Sequence, residues 1–241
     1  MLGSGKVVVV TAGGMLPNIL INAESRLQFL ARRARKFGWI FAVGQLLTMI
    51  VSRIGKSLFR KRLDLILRTY EARFEQDKTI PLHVISSIND PESWKAVLET
   101  QPAVILCVSC RILDHRTLSA FSCPVLNFHA GILPHYRGLF GGYWSRIEND
   151  EVNFGGTVHL VDRGVDTGHV LYRSYSKPDP TDMISTYPVL QTAGSQAIVI
   201  QAIKDALSGD LKPEVSGTVF PQRYHPPIWT YVKNGLTRKI W

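Results

Sequence analysis

The sequence predicts an α/β fold, a mostly parallel sheet with helices on its faces. Three observations carry this expectation. Lys6 to Thr11 is a β-branched run ending in Ala12-Gly13-Gly14. Ala103 to Ser109 is a further continuous apolar run, as expected of a strand buried on both faces, and Pro124 to His129 is another strand candidate. Around them the apolar spacing changes to that of helices, so strands and helices alternate along the chain.

Taken in order, Lys6–Thr11 is the opening strand, and residues 16–36 follow as a helix with Leu27, Phe29 and Leu30 on its apolar side. Phe37 to Ser52 carries no formal charge, and Ile54 to Phe74 is a second basic amphipathic stretch. Ile80 to Ile85 is a strand candidate. Asp90-Pro91-Glu92-Ser93 opens a helix, with Asn89 or Asp90 as its cap and proline in its first turn. The 103–109 strand, a short helix over 114–121 and the 124–129 strand come next. A glycine-rich loop over 130–142 leads to a short helix over 143–149. Gly156–Val161 and Val170–Tyr175 are two strands joined by a turn, and Pro180-Thr181-Asp182 opens a long helix to about Leu207. From Gly209 the chain is rich in proline and aromatic residues. The expected organisation is one domain over 1–208 with a basic helical insertion at about 24–75, then a tail over 209–241.

With 241 residues, 45% of them hydrophobic and 20% charged, the chain has the composition of a globular protein, which excludes disorder as a global description. Three cysteines exclude a disulfide framework. No charged stretch followed by an apolar run and a small-residue cleavage site opens the sequence, so a reducing, cytoplasmic setting is expected. The net charge of +9 belongs to one segment: residues 24–73 contain twelve basic and three acidic residues, the whole excess of the chain. That balance invites anionic partners.

The chemistry concentrates between 107 and 168. Asn127 and His129, two apart on a strand, point to the same face. At the carboxyl edge of a parallel sheet that face opens on the ligand crevice. An amide and an imidazole there can donate hydrogen bonds to a developing oxyanion; the alternative is a polar strand end that satisfies loop backbone groups. The loop continues Ala130-Gly131-Ile132-Leu133-Pro134-His135-Tyr136-Arg137-Gly138, and about thirty residues later comes Gly155-Gly156-Thr157-Val158-His159 and the turn Asp162 to Gly168, which contains Asp166-Thr167-Gly168. Cys107-Val108-Ser109-Cys110 has C-x-x-C spacing but no second ligand pair, so buried strand residues are expected there and no metal site.

These motifs, in this order and spacing, resemble the folate-dependent formyltransferases, the family of glycinamide ribonucleotide, methionyl-tRNA and sugar N-formyltransferases. The resemblance is strong over about 100–175 and weak before residue 80. It implies a Rossmann-like fold, a formyl group carried by N10-formyltetrahydrofolate and no metal. It also implies Asn127, His129 and Asp166 as catalytic residues, the first two holding the charge on the formyl oxygen and Asp166 accepting the amine proton, directly or through water. The segment Cys110, Arg111, Ile112 and Leu113 aligns with the part that grips the pterin, and Val161 and Val165 flank the same pocket. Tyr136, Arg137 and Gly138 frame the amine substrate, with a purely structural loop anchor as the equal alternative for Arg137. His135 and His159 are either substrate contacts or hydrogen-bonded loop and strand residues, the latter favoured.

Departures from the family pattern point to the acceptor. Ala12-Gly13-Gly14-Met15-Leu16-Pro17-Asn18 stands where the ribonucleotide enzymes carry a phosphate loop, and the tail is shorter than the C-terminal barrel of the methionyl-tRNA enzymes. His129 is followed by Ala130-Gly131, where many relatives carry a small residue and a serine. The expected acceptor is therefore an amino sugar, nucleotide- or lipid-linked. Two alternatives are phosphoribosylglycinamide formylation in purine synthesis and a non-catalytic basic relative that binds membrane or nucleic acid. Of partners, nucleic acid ranks last. The basic insertion leaves a homodimer through 37–52 or a peripheral membrane contact open, with subunit contact or self-packing slightly favoured. Its uncharged stretch of sixteen residues is shorter than the ~20 a spanning helix needs.

Overall fold

The computed structural model describes residues 6–11, 19–21, 26–73, 79–80, 83–85, 87–215, 218 and 220–241. The glycine turn expected at 12–14 lies outside them. The strands are β1 (Lys6–Thr11), β2 (Ile19–Ile21), β3 (His83–Ile85), β4 (Pro102–Val108), β5 (Val125–His129), β6 (Gly155–Leu160) and β7 (Val170–Tyr175). The helices are α1 (Arg26–Phe37), α2 (Trp39–Leu58), α3 (Arg60–Thr69), α4 (Pro91–Glu99), α5 (His115–Ala120), α6 (Gly141–Ile147), α7 (Tyr187–Ala193), α8 (Gln196–Ser208) and α9 (Ile228–Arg238).

The strands form one sheet in the order β3-β2-β1-β4-β5-β6-β7. Pairing is parallel from β3 through β5, and β6 and β7 are antiparallel additions. β4 is buried on both faces, which is why it appears in the sequence as an unbroken apolar run. Ile105 and Cys107 point to the side of Val97 and Phe121, near α4 and α5; Val104 and Leu106 point to the side of Ala202 on α8. The result is a helix–sheet–helix sandwich. By the same alternation Asn127 and His129 share the α4/α5 side with Val125, while Leu126 and Phe128 fill the other core.

Several local expectations are met. Asp90 caps α4 by accepting from the Glu92 N–H, with Pro91 in the first turn. Asp114 caps α5 by accepting from the Thr117 N–H. Others are corrected. Of the helix expected over 16–36, residues 26–36 are helical, while Ile19–Ile21 is a strand, an apolar triplet with two β-branched isoleucines pairing between β1 and β3. The long helix expected to Leu207 is two helices. The chain breaks at Gly194-Ser195, where the Ser195 hydroxyl meets both the Gln191 carbonyl and Ser174 of β7.

The basic insertion is three helices. α2 packs on α9 through a small-residue face, and α3 joins α6, α7 and α9 in a second core around Tyr143, Phe154, Tyr187 and Tyr231. Arg62 of α3 makes a two-pronged ion pair with buried Asp182, at 2.9 and 2.7 Å. The tail is no separate appendage. Residues 220–227 form a strap between the insertion and the sheet, and α9 completes the second core.

Candidate active site

Asn127 and His129 stand at the carboxyl end of β5. The antiparallel register sets His159 opposite Asn127 and Thr157 opposite His129. The His159 Nδ1 lies 2.7 Å from the Leu160 carbonyl oxygen, which can only accept, so Nδ1 carries the hydrogen. Its Nε2 then offers a lone pair, and the Asn127 amide donates to it at 3.0 Å. This bond fixes the orientation of the Asn127 amide and leaves its second N–H for another acceptor.

His129 is also fully engaged. Its Nε2 donates to the Tyr136 carbonyl at 2.7 Å, and its Nδ1 faces Asp166 Oδ2 at 3.6 Å. Gly131 makes this possible. A side chain there would begin 2.6 Å from both the His129 Nε2 and the Tyr136 oxygen. The expected pair of parallel donors is thus replaced by one donor, Asn127, beside an imidazole held between a carbonyl and a carboxylate.

Asp166 sits in the left-handed region at φ 50 in the turn between β6 and β7. Its Oδ2 accepts from the Gly138 N–H at 2.8 Å, and its Oδ1 faces His159 Nε2 at 3.6 Å. Burial alone would push this carboxyl up. The charge on a protonated His129 and the Gly138 N–H outweigh burial and hold it well below the usual carboxylate range. The structure therefore brings Asn127, His129 and Asp166 together, with His159 touching both ends of the set.

Of the residues expected to frame the amine, none turns its side chain to an open crevice. Tyr136 is buried, and its hydroxyl donates to Asp150 Oδ2 at 2.7 Å. Arg137 donates twice to the Val165 carbonyl, at 2.9 and 2.7 Å, and once to Phe220 at 2.8 Å, so it ties the Asp166 turn to the strap. Gly138 holds Asp166 by its backbone and, at φ 95, abuts Arg223.

The 110–113 segment follows β4 along the same edge. Asn89 pins it, donating to the Ile112 carbonyl at 2.9 Å and accepting from the Asp114 N–H at 2.9 Å. Leu113 is buried in the core that Cys110 and Val161 also pack against, Arg111 is exposed, and Ile112 is 57% exposed. Val165 is half-buried in the facing turn. The Cys110 thiol is lowered by its hydrogen bond with Cys107, while burial and the charge of Asp166 oppose that shift.

Two supports were not legible as such in the sequence. Thr157 accepts from the Leu133 N–H and donates to the Gly131 carbonyl, pinning the loop that carries Tyr136. Asn89 lies far from the motifs in sequence, and its only signal was its place beside a helix cap.

Comparison with known proteins places the chain in a family. A formyl transferase family signature matches residues 72–203, more than half of the chain. Methionyl-tRNA formyltransferases from Chlorobium chlorochromatii and Caldanaerobacter subterraneus are 30% and 32% identical over 121 and 128 residues, covering 50% and 52% of this chain. The chain spans 38% and 41% of the length of these two relatives. Among solved structures, a sugar N-formyltransferase from Shewanella sp FDAARGOS_354 superposes with a TM-score of 0.50 at 17% identity, over 69% of this chain and 71% of that one. HypX from Aquifex aeolicus superposes with a TM-score of 0.50 at 18% identity, over 60% of this chain and 26% of that one. These two likenesses concern the fold, a Rossmann-like sheet flanked by helices. The signature, the fold and the site motifs coincide, and the chain belongs to the formyl transferase family.

Proposed function

We propose that this chain transfers the formyl group of N10-formyltetrahydrofolate to a primary amine of a small-molecule acceptor, and that the acceptor is an amino sugar. The observation that carries the reading is the closed set of contacts joining Asn127, His159, Asp166 and His129 at the carboxyl edge of the parallel strands. The folate supplies the formyl carbon. The second N–H of Asn127 donates to the formyl oxygen, where negative charge grows as the amine attacks. A proton on His129 Nδ1 makes a charged pair with Asp166 and adds positive potential beside that oxygen. Asp166, already bonded by Gly138 and held low, acts chiefly as the fixed anion that orients the His129 imidazole. The proton lost by the amine is balanced by the one gained on the folate nitrogen, so the net transfer needs no external acid or base.

The 110–113 segment and the 161–165 turn would hold the folate ring, with Ile112 against its face. The amino-sugar acceptor is supported by the family and by the unusual residues expected to follow β1. The test is an acceptor screen with N10-formyltetrahydrofolate, following release of tetrahydrofolate by absorbance and the formamide by mass spectrometry. Nucleotide-linked amino sugars, glycinamide ribonucleotide and methionyl-tRNA are the acceptors. Formylation of an amino sugar alone is the expected result. Formylation of methionyl-tRNA or the ribonucleotide would reassign the acceptor, and no folate binding or turnover with any of them would overturn the reading.

A further inference from the structure

Helix α2 is turned inside out. The face it buries holds Ala42, Gly44, Gln45, Thr48, Ser52 and Gly55. Its large apolar side chains point away from the protein: Trp39 is 64% exposed, Ile40 80%, Ile54 54% and Leu58 76%, with Val43, Leu47 and Val51 between them. Their three- and four-residue spacing makes one continuous stripe along the helix. A surface helix in water usually does the reverse, and contiguous apolar surface of this kind marks an interaction site. At its C-terminal end the stripe continues into an open cavity of ≈ 340 Å³ lined by Val51, Ile54, Leu58, Met183, Val232 and Trp241.

Charge decides what covers it. Arg53 and Lys56 of α2 and Arg60 and Lys61 at the start of α3 are all exposed around the C-terminal end of α2. Among residues 26–73 the acids are only Asp64 and Glu71, against twelve basic residues. A second copy paired about a two-fold axis would bring this cationic set against itself. A surface of anionic lipid offers the opposite charge directly above apolar depth. Among the described residues no helix is long and apolar enough to cross a membrane. We propose that α2 lies flat in an anionic lipid surface, its apolar stripe at the acyl boundary and Arg53, Lys56, Arg60 and Lys61 at the headgroups.

The rest of the fold transmits that placement to the site. Gln45 on the inner face of α2 donates to the His225 carbonyl at 2.8 Å. Two residues earlier in the same strap, Arg223 pairs with the 137–139 backbone, whose Gly138 N–H holds Asp166. The site is thereby fixed at a set distance from the bound surface. The docking itself does not depend on which acceptor is formylated.

The test is co-sedimentation of the full chain with phosphatidylcholine vesicles, with and without phosphatidylglycerol. Binding to the anionic vesicles is expected, and it should fall steeply as salt rises. Joint replacement Arg53→Gln and Lys56→Gln should weaken it about 30-fold. Joint replacement Leu47→Asp and Ile54→Asp should abolish it. Both positions are exposed, so circular dichroism and the melting temperature should stay unchanged. Absence of binding to anionic vesicles, or binding that survives the aspartate pair, would overturn the proposal. A solution dimer that the aspartate pair converts to monomer, with no vesicle binding by the parent chain, would assign the stripe to a second copy instead.

Discussion

The Asn127 amide and the His159 imidazole face each other across the β5–β6 pair, 3.0 Å apart, with the far nitrogen of the imidazole bonded to the Leu160 carbonyl. A strand-end amide would otherwise rotate between two orientations. Here one is selected by the tautomer that Leu160 imposes on His159, so the remaining N–H of Asn127 is aimed before any substrate arrives.

Removing the donor and removing its support should therefore have separable effects. Asn127→Ala is expected to lower kcat by about 10²–10³-fold. His159→Ala should cost up to about tenfold, the worth of one orienting hydrogen bond, with KM for the folate little changed. His159→Gln, which restores an acceptor, should recover part of that loss. In the Asn127→Ala background, His159→Ala should have almost no further effect on kcat. A full additional tenfold loss there would mean that His159 acts on the substrate itself.

Asp166 gives a pH signature. Its folded-state pKa is depressed, burial being outweighed by the charge of His129 and the Gly138 N–H. A carboxyl held low when folded stabilises the fold fully above its unfolded value of about 3.9, and that contribution is lost as pH falls through the folded value. Urea denaturation of the parent and of Asp166→Asn at about pH 5 should thus show the full difference between them. The difference should shrink below about pH 4. An unchanged gap at lower pH would show that the carboxylate is not ion-paired in the folded protein.

The sequence made the site's location legible because it is written on consecutive strand and turn positions. Asn127 and His129 share a face by the two-residue period, and Asp166-Thr167-Gly168 marks a tight turn. What joins them was not legible. The Asn127–His159 contact follows from the antiparallel register of β5 and β6, and no local pattern encodes register between strands thirty residues apart. The engagement of His129 with Tyr136 depends on the path of an irregular loop. In the insertion, counting apolar residues found the helices but not their orientation. α2 carries apolar side chains on its outer face and small or polar ones inside, so its period alone could not say which side is buried. Likewise the strand at Ile19–Ile21 pairs with β1 and β3 on its two sides, long-range partners that its three residues do not encode.

The insertion should be part of the folded unit through Arg62 and Asp182. The Asp182 side chain is fully buried and also accepts from the Asp179 N–H and the Thr186 hydroxyl. Arg62→Met leaves that carboxylate without its cation and is expected to destabilise by about 3–5 kcal/mol. Arg62→Met combined with Asp182→Asn should recover part of the loss, because the isolated charge is gone. Thermal denaturation of the two variants checks this, and a single variant as stable as the parent would show that α3 docks through its apolar face alone.

Gly168 explains why the turn after β6 carries an Asp-x-Gly pattern. A Cβ at that position would run into the Leu160 carbonyl oxygen, and it would lie 3.3 Å from the His159 Nδ1 that this oxygen receives. The obstacle is backbone, which cannot swing aside as a side chain could, so Gly168→Ala must move the 160–168 turn. A stability loss of about 1–3 kcal/mol is expected from the collision. The displacement should also loosen the Leu160–His159 bond, release the His159 tautomer and thereby free the Asn127 amide, so kcat should fall along with the melting temperature. Gly209→Ala is the control. It meets nothing within 4 Å but sits at φ +76 at the end of α8, so it should cost about 1 kcal/mol of stability and leave kcat at the parent value. Equal kcat in the Gly168→Ala and Gly209→Ala enzymes would separate the turn's packing from the orientation of Asn127.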